Sequence, residues 1–127
     1  MKEVIAIIRM NMINQTKKAL LLEDISSITV RKVYGRGKKK ISYKLAEEIL
    51  SVGEVTSPEV GETMSEAHRL IQKRLLTIVA KDDEVSKIID TILKVNKTGN
   101  PGDGKIFVLP VEEAYRVRTG ESGDSIL

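Results

Sequence analysis

Strand, helix and strand signals occur twice in this chain, once on each side of a long segment that lacks any sustained core pattern. In the first set, Glu3 to Arg9 is a nearly continuous apolar run with three isoleucines, too short for an independent helix and suited to a strand covered on both faces. Asn14 is placed to cap a helix whose apolar surface comes from Ala19, Leu20, Leu21 and Leu22, before a break over Asp24 to Ser27. Ile28 to Tyr34 is rich in β-branched residues and ends at Gly35, so it reads as the second strand. In the second set, Leu75 to Ala80 is strand-like and leads into the clearest helix signal of the chain. Asp82 is the expected N-cap, Asp83 and Glu84 suit the positive helix start, and Val85, Ile88, Ile89, Ile92 and Leu93 make one apolar stripe. Lys94 and Lys97 suit the negative helix end, and Gly99 can take the left-handed conformation that closes it. Ile106 to Leu109 is the fourth strand, and Pro110 and an alternating Ala114 to Val117 segment follow.

This order is the split βαβ plan of ferredoxin-like α+β domains. Two helices then cover one sheet face, and the other face, apolar in most strands, is expected to be buried between subunits. The interruption from Arg36 to Arg74 is 39 residues long, whereas most connections in compact domains take about 2 to 6. It holds two candidate helices, Leu45 to Leu50 and Thr63 to Lys73; the second opens on Thr63 and Glu66 at capping-box spacing, with Ala67, Leu70 and Ile71 on one face. It is expected to gain order from a ligand or partner and to act as an effector arm.

The 127 residues fit one domain, residues 1–127, and 41% hydrophobic with 31% charged residues describes an ordinary globular chain. No apolar run approaches the roughly 20 residues needed to cross a bilayer, and MKEVIAIIR lacks a signal-peptide pattern, which points to the cytoplasm. With no cysteine and a single histidine, His68, thiolate chemistry and soft-metal sites are excluded. The net charge is only +3, but Arg31, Lys32, Arg36, Lys38, Lys39 and Lys40 crowd one stretch that reads either as a solvated loop or as a place for an anionic partner.

Chemistry concentrates in Thr98 to Val108, TGNPGDGKIFV. Gly99, Gly102 and Gly104 let the backbone turn several N–H groups toward one anion, and Lys105 adds a full charge. Gly99 to Lys105 satisfies the first seven positions of a Walker A loop, but Ile106 stands where magnesium binding needs Ser or Thr. The order is also reversed, because this loop leaves a helix end and enters a strand. Asp103 is the one nearby candidate for a catalytic base, and fixing the glycine turn through backbone hydrogen bonds is its more ordinary role. Arg116 and Arg118, two apart, would emerge on one face of a strand and converge on an anion. An RNA-recognition domain shares the fold plan, but the single Phe and three Tyr cannot supply its base-stacking aromatics.

These residues closely resemble the nitrogen regulatory PII signal-transduction proteins. The resemblance rests on T-G-x-x-G-D-G-K-I-F-V at Thr98 to Val108, R-x-R-T-G at Arg116 to Gly120, the N-terminal MKEVIAIIR, and G-R-G at Gly35 to Gly37. It implies a ferredoxin-like trimer, not an enzyme, in which ATP and ADP compete for clefts between subunits. By position, Gly102, Asp103, Gly104, Lys105, Arg116 and Arg118 would hold nucleotide, with Thr29, Gly35, Arg36, Gly37, Lys38 and Val79 lining the same site. The long segment 36–74 corresponds to the T-loop, which responds when 2-oxoglutarate joins ATP and magnesium. Lys73 matches the lysine that meets 2-oxoglutarate, and Lys39, standing where the family usually carries a magnesium-holding glutamine, is placed with it at the 2-oxoglutarate site, with no side chain assigned to metal. Thr77 replaces the acidic residue near the adenine, and Tyr43 is not equated with the modified tyrosine, so no uridylylation is expected. An extended T-loop with G-R-G-K-K at its base looks most like the nitrogenase-linked NifI branch, whose members work with a PII-like paralogue and inhibit dinitrogenase. The resemblance thus implies a homotrimer or a heteromer with such a paralogue, and dinitrogenase as target, with an ammonium transporter as the alternative. It implies neither nucleic-acid binding nor membrane insertion.

Overall fold

A computed structural model describes residues 1–38 and 69–127. The chain divides into two units, Met1–Val33 with Gln72–Leu127, and Tyr34–Ile71. Among the described residues, the first unit holds nearly all the regular structure. Its elements are β1 (Lys2–Arg9), α1 (Ile13–Leu22), β2 (Thr29–Gly35), β3 (Ile71–Ala80), α2 (Val85–Asn96) and β4 (Lys105–Pro110). The strands form one sheet in the order β2-β3-β1-β4. β1 is central and antiparallel to both neighbours, with Val4 opposite Ile78 and Val108, and Ile7 opposite Leu75 and Lys105. This is the ferredoxin-like α+β plan that the two strand–helix–strand sets imply.

The period of the strands decides the layers. Val4, Ala6 and Ile8 of β1 and Leu76, Ile78 and Ala80 of β3 are buried on one face, where α1 contributes Leu20 and α2 contributes Val85, Ile88 and Ile92. Fully burying a Leu or Ile of this kind contributes about 2 kcal/mol, so this single cluster supplies the main cohesion of the fold. Odd-numbered β1 positions point the other way, and Ile5, Ile7, Leu75, Phe107 and Leu109 are only half-covered or exposed there. The two helices are joined inside the core by one polar contact: Asn96 Nδ2 donates to Thr16 Oγ1 at 3.0 Å and to Ile92 O at 2.9 Å. Thr16 Oγ1 in turn donates to Met12 O at 2.7 Å.

Several local expectations are corrected. A 3-10 turn over Met10–Met12 leads directly into α1, so the helix is already under way at Ile13 and Asn14 is not its cap. Asp82 does not cap α2 either. A 3-10 turn, Asp82–Glu84, precedes it and is closed by Lys81 N–H donating to Glu84 Oε2 at 3.2 Å, while Asp82 pairs with the Met1 ammonium at 3.1 Å. That ammonium holds the Asp82 carboxyl below the usual Asp range. α2 ends at Asn96, with Lys97 already extended, so Gly99, although at φ +85, shapes the following loop rather than the helix end. β3 begins at Ile71, four residues before the expected Leu75, because pairing continues outward to Arg9 opposite Lys73. Ile71–Lys73 is therefore strand and not the end of a helix, and the interruption closes before Arg74. Leu45 to Leu50, most of the Thr63 helix, Lys39, Tyr43 and His68 lie outside the described residues. The Ala114 to Val117 segment forms no strand; it contains one isolated bridge, Tyr115 to Ser122, and a turn.

Candidate functional site: the glycine loop between α2 and β4

Asp103 organises the loop from Lys97 to Gly104. Its carboxylate accepts from Thr98 N–H at 2.7 Å and Gly99 N–H at 3.0 Å through Oδ2, and from the Thr98 hydroxyl and the Arg9 guanidinium through Oδ1. Thr98 first, then Arg9, hold the Asp103 carboxyl far below the usual Asp range, because every one of these donors favours the ionised form. A carboxylate so engaged is a structural anchor and a poor proton acceptor. This is the turn-fixing role expected of Asp103.

With Asp103 committed inward, the rest of the loop presents positive character. Gly102 and Gly104 have φ of +99 and +116, which directs successive peptide units in ways that L side chains resist. Among the described residues, the N–H groups of Gly102, Asp103 and Gly104 have no acceptor. Lys105 follows at the exposed start of β4. Backbone N–H groups in a turn with an adjacent lysine fit the charge and size of phosphate oxygens.

The sequence pattern missed Arg9. It ends β1 directly opposite Lys73 on β3, two cations side by side on neighbouring strands, an arrangement that repels unless anionic or carbonyl groups intervene. Here both reach the glycine loop: Arg9 Nη2 donates to Pro101 O at 3.1 Å and Lys73 Nζ to Gly102 O at 3.1 Å. A Cβ at Gly102 would lie 3.2 Å from Arg9 Nη2 and 3.8 Å from Lys73 Nζ, so the glycine keeps open the space between the two cations. Only the β1–β3 register brings these residues together, since 64 positions separate them in the chain. An arginine closing a strand that reads as pure core gave no signal of its own.

Gly102, Asp103, Gly104, Lys105 and Lys73 thus form one cluster. Val79 does not join it within the chain: it lies opposite Glu3, six positions along β3 from Lys73, or about 20 Å of extended strand. Arg116 and Arg118 do not share a strand face. Arg116 N–H donates to Glu121 O at 2.8 Å and Gly120 N–H to Arg116 O at 2.7 Å, which bends the segment into a tight turn. The Arg116 guanidinium is taken by Glu121 at 2.8 Å, and Arg118 is exposed on the turn. Thr29 is exposed on β2. Gly35 closes that strand, and Arg36, Gly37 and Lys38 follow it as exposed chain without regular structure in the second unit.

A four-stranded antiparallel sheet backed by two helices, with a glycine loop leading into β4, is the α+β class to which this domain belongs. The family model for nitrogen regulatory protein P-II matches residues 1–121, and the chain belongs to that family of signalling regulators. The particular branch follows from its relatives. The chain is 45% identical over its whole length to the nitrogen fixation nifHD region GlnB-like protein 2 of Methanobacterium ivanovii, covering 99% of that protein. It is 46% identical to the protein of the same name from Methanothermococcus thermolithotrophicus, with 98% of this chain and 96% of that one aligned. These relatives set it in the nitrogenase-linked branch of the family. Among solved structures, Arabidopsis thaliana PII bound to citrate is similar with a TM-score of 0.69 and 34% identity, over 98% of this chain and 86% of that one.

Proposed function

We propose that this nif-linked PII protein senses ATP or ADP together with 2-oxoglutarate, and that it regulates nitrogen fixation by binding dinitrogenase through the 36–74 segment. The observation that carries the reading is the Asp103-anchored loop, whose carboxylate is taken up by Arg9 and by its own backbone, and which leaves N–H groups, Lys105 and Lys73 for anions. Phosphates would lie along Gly102 to Lys105. A dicarboxylate would lie at the Gly102 end, beside Lys73 and Arg9, and Lys39, outside the described residues, is proposed as a further ligand on the resemblance alone. Arg9 is an addition to the residues expected from sequence. Magnesium would be carried mainly by the ATP phosphates, with no side chain of this chain assigned to it.

The assembly proposed is a trimer, homomeric or shared with a PII-like paralogue, with Arg116 and Arg118 supplied to each loop by a neighbouring copy and Val79 and Thr29 by the walls of the same cleft. Gly35, Arg36, Gly37 and Lys38 would link the nucleotide to the base of the effector arm. The half-covered sheet face of Ile5, Ile7, Leu75, Phe107 and Leu109 supports burial between copies. Signalling is then linkage: a metabolite that binds one arrangement of the arm lowers the population able to grip the target. Moving such a loop from mostly one form to mostly the other takes roughly 5 kcal/mol of differential binding, within reach of ATP plus a dicarboxylate. The setting is the cytoplasm, and no described helix is long and apolar enough to cross a membrane.

Calorimetric titration with ATP and with ADP, each with and without 2-oxoglutarate, tests the reading. Lys105→Ala should weaken nucleotide at least about tenfold, the scale of one charge-assisted phosphate contact, and Lys73→Met should weaken the 2-oxoglutarate response. Absence of nucleotide binding, or steady ATP turnover that disappears with Asp103→Asn, would overturn it. Capture of purified dinitrogenase, reversed by ATP with 2-oxoglutarate, tests the target.

A further inference from the structure

On the helix side of the sheet, α2 and β4 enclose a cavity of about 350 Å³, a size in the range of roughly 300 to 1,000 Å³ typical of small-molecule sites. Its apolar lining comes from Ile8, Ile89, Ile92, Leu93, Ile106 and Val108. Leu93 and Val108 are 46% and 42% exposed, so the cavity opens to solvent. Two polar residues interrupt this lining side by side at the end of α2. Asn96 is 5% exposed, and its Nδ2 is committed to Thr16 Oγ1 and Ile92 O, while its Oδ1 has no hydrogen-bond partner among the described residues. A buried acceptor left unmatched favours a donor brought from outside the chain. Lys97 follows it and makes no ion pair among the described residues. The other charged residues of the lining do not compete with Lys97. The Asp103 carboxylate is held by Arg9 and Thr98, and Lys105, opposite Ile7, alternates to the far face of the sheet.

We infer that this cavity binds a free α-amino acid with a branched or aromatic apolar side chain. Its ammonium donates to Asn96 Oδ1, its carboxylate meets the Lys97 ammonium, and its side chain lies against Ile89, Leu93, Ile106 and Val108. Adjacency decides the class of ligand. Neighbouring residues supply an acceptor and a cation, and an α-amino acid carries the complementary donor and anion on one carbon. The ammonium also suits the negative end of α2. A segment of polypeptide has its amine and carboxylate tied up in amide bonds and offers neither charge. The site lies on the opposite face of the sheet from the Lys105 side chain, so the inference stands independently of nucleotide binding.

Calorimetry and saturation-transfer NMR on the unmodified protein, with L-leucine and L-phenylalanine as probes, test the assignment. Isocaproate, which lacks the ammonium, should bind about fivefold more weakly than L-leucine, and leucinol, which lacks the carboxylate, about tenfold more weakly. Lys97→Met, at an exposed position, should weaken L-leucine by about tenfold and leave leucinol unchanged. Leu93→Trp, which fills the mouth from a half-exposed position, should weaken all three ligands while circular dichroism stays unchanged. No binding of either amino acid, equal affinity for L-leucine, isocaproate and leucinol, or undiminished L-leucine affinity in Lys97→Met would each overturn the assignment. Displacement of L-leucine by ATP would also overturn it, because the amino acid would then lie on the glycine loop. Failure of ATP to bind at all would remove the nucleotide reading and leave this site standing.

Discussion

Gly104 is where β4 approaches the central strand too closely for any side chain. A Cβ there would meet the Ile7 carbonyl oxygen at 1.9 Å, with Ile7 C at 3.0 Å and Ile8 Cα at 3.3 Å, all backbone atoms of β1. The strands would have to part by roughly 1.1 Å before the contact became merely tight. That movement breaks into the ladder beside Ile7 and Lys105. The φ of +116 adds strain of about 1–2 kcal/mol for any L residue. Gly104→Ala should therefore cost roughly 3–5 kcal/mol, at the upper end of single substitutions. For a chain of this size, that lowers the melting temperature by about 10–20 °C. Gly99→Ala is the control: its φ is +85 and nothing lies within 4 Å of the added methyl, so only strain of about 1 kcal/mol remains. Urea and thermal denaturation of the variants, at one protein concentration because association shifts both, give the comparison. A cost for Gly104→Ala no larger than that for Gly99→Ala would refute the close-approach argument.

Asp103 makes stability pH-dependent in a defined direction. Its folded pKa is depressed, so the stabilisation is fully present above the unfolded value of about 3.9 and is lost as pH falls below it toward the folded value. Denaturation from pH 7 to pH 3 should show Asp103→Asn less stable near neutrality and flatter below pH 4; parallel curves would refute the assignment. In the core, Thr16→Val leaves an Asn96 Nδ2 proton without its partner and should cost about 1–3 kcal/mol. The double substitution Thr16→Val, Asn96→Leu should cost less than the sum of the singles in a double-mutant cycle read by urea denaturation.

Secondary structure was legible because each element carries its own period. Val85, Ile88 and Ile92 recur at helical spacing and all three are buried; Val4, Ala6 and Ile8 alternate and all three face the helices. The caps were less legible. Asn14 and Asp82 have the right chemistry for capping, but 3-10 turns precede both helices, and the Met1 ammonium claims Asp82 from outside any local pattern. The alternation at Ala114 to Val117 misled for a related reason: backbone bonds to Glu121 and Gly123 bend the segment into a turn before a strand can pair.

By itself, the sequence determined the two strand–helix–strand sets, the glycine loop with its anchoring Asp103, and the family motifs in Thr98 to Val108 and Arg116 to Gly120. These are local matters of spacing, propensity and backbone freedom. Tertiary structure alone decided which cations meet that loop. Arg9 reaches Asp103, and Lys73 reaches Gly102, because antiparallel register sets the end of β1 against the start of β3. It also decided that Arg116 and Arg118 do not share a strand face, because a hydrogen-bonded turn holds the segment. Contacts of this kind depend on where distant segments come to lie, and residue spacing along one segment carries no record of that.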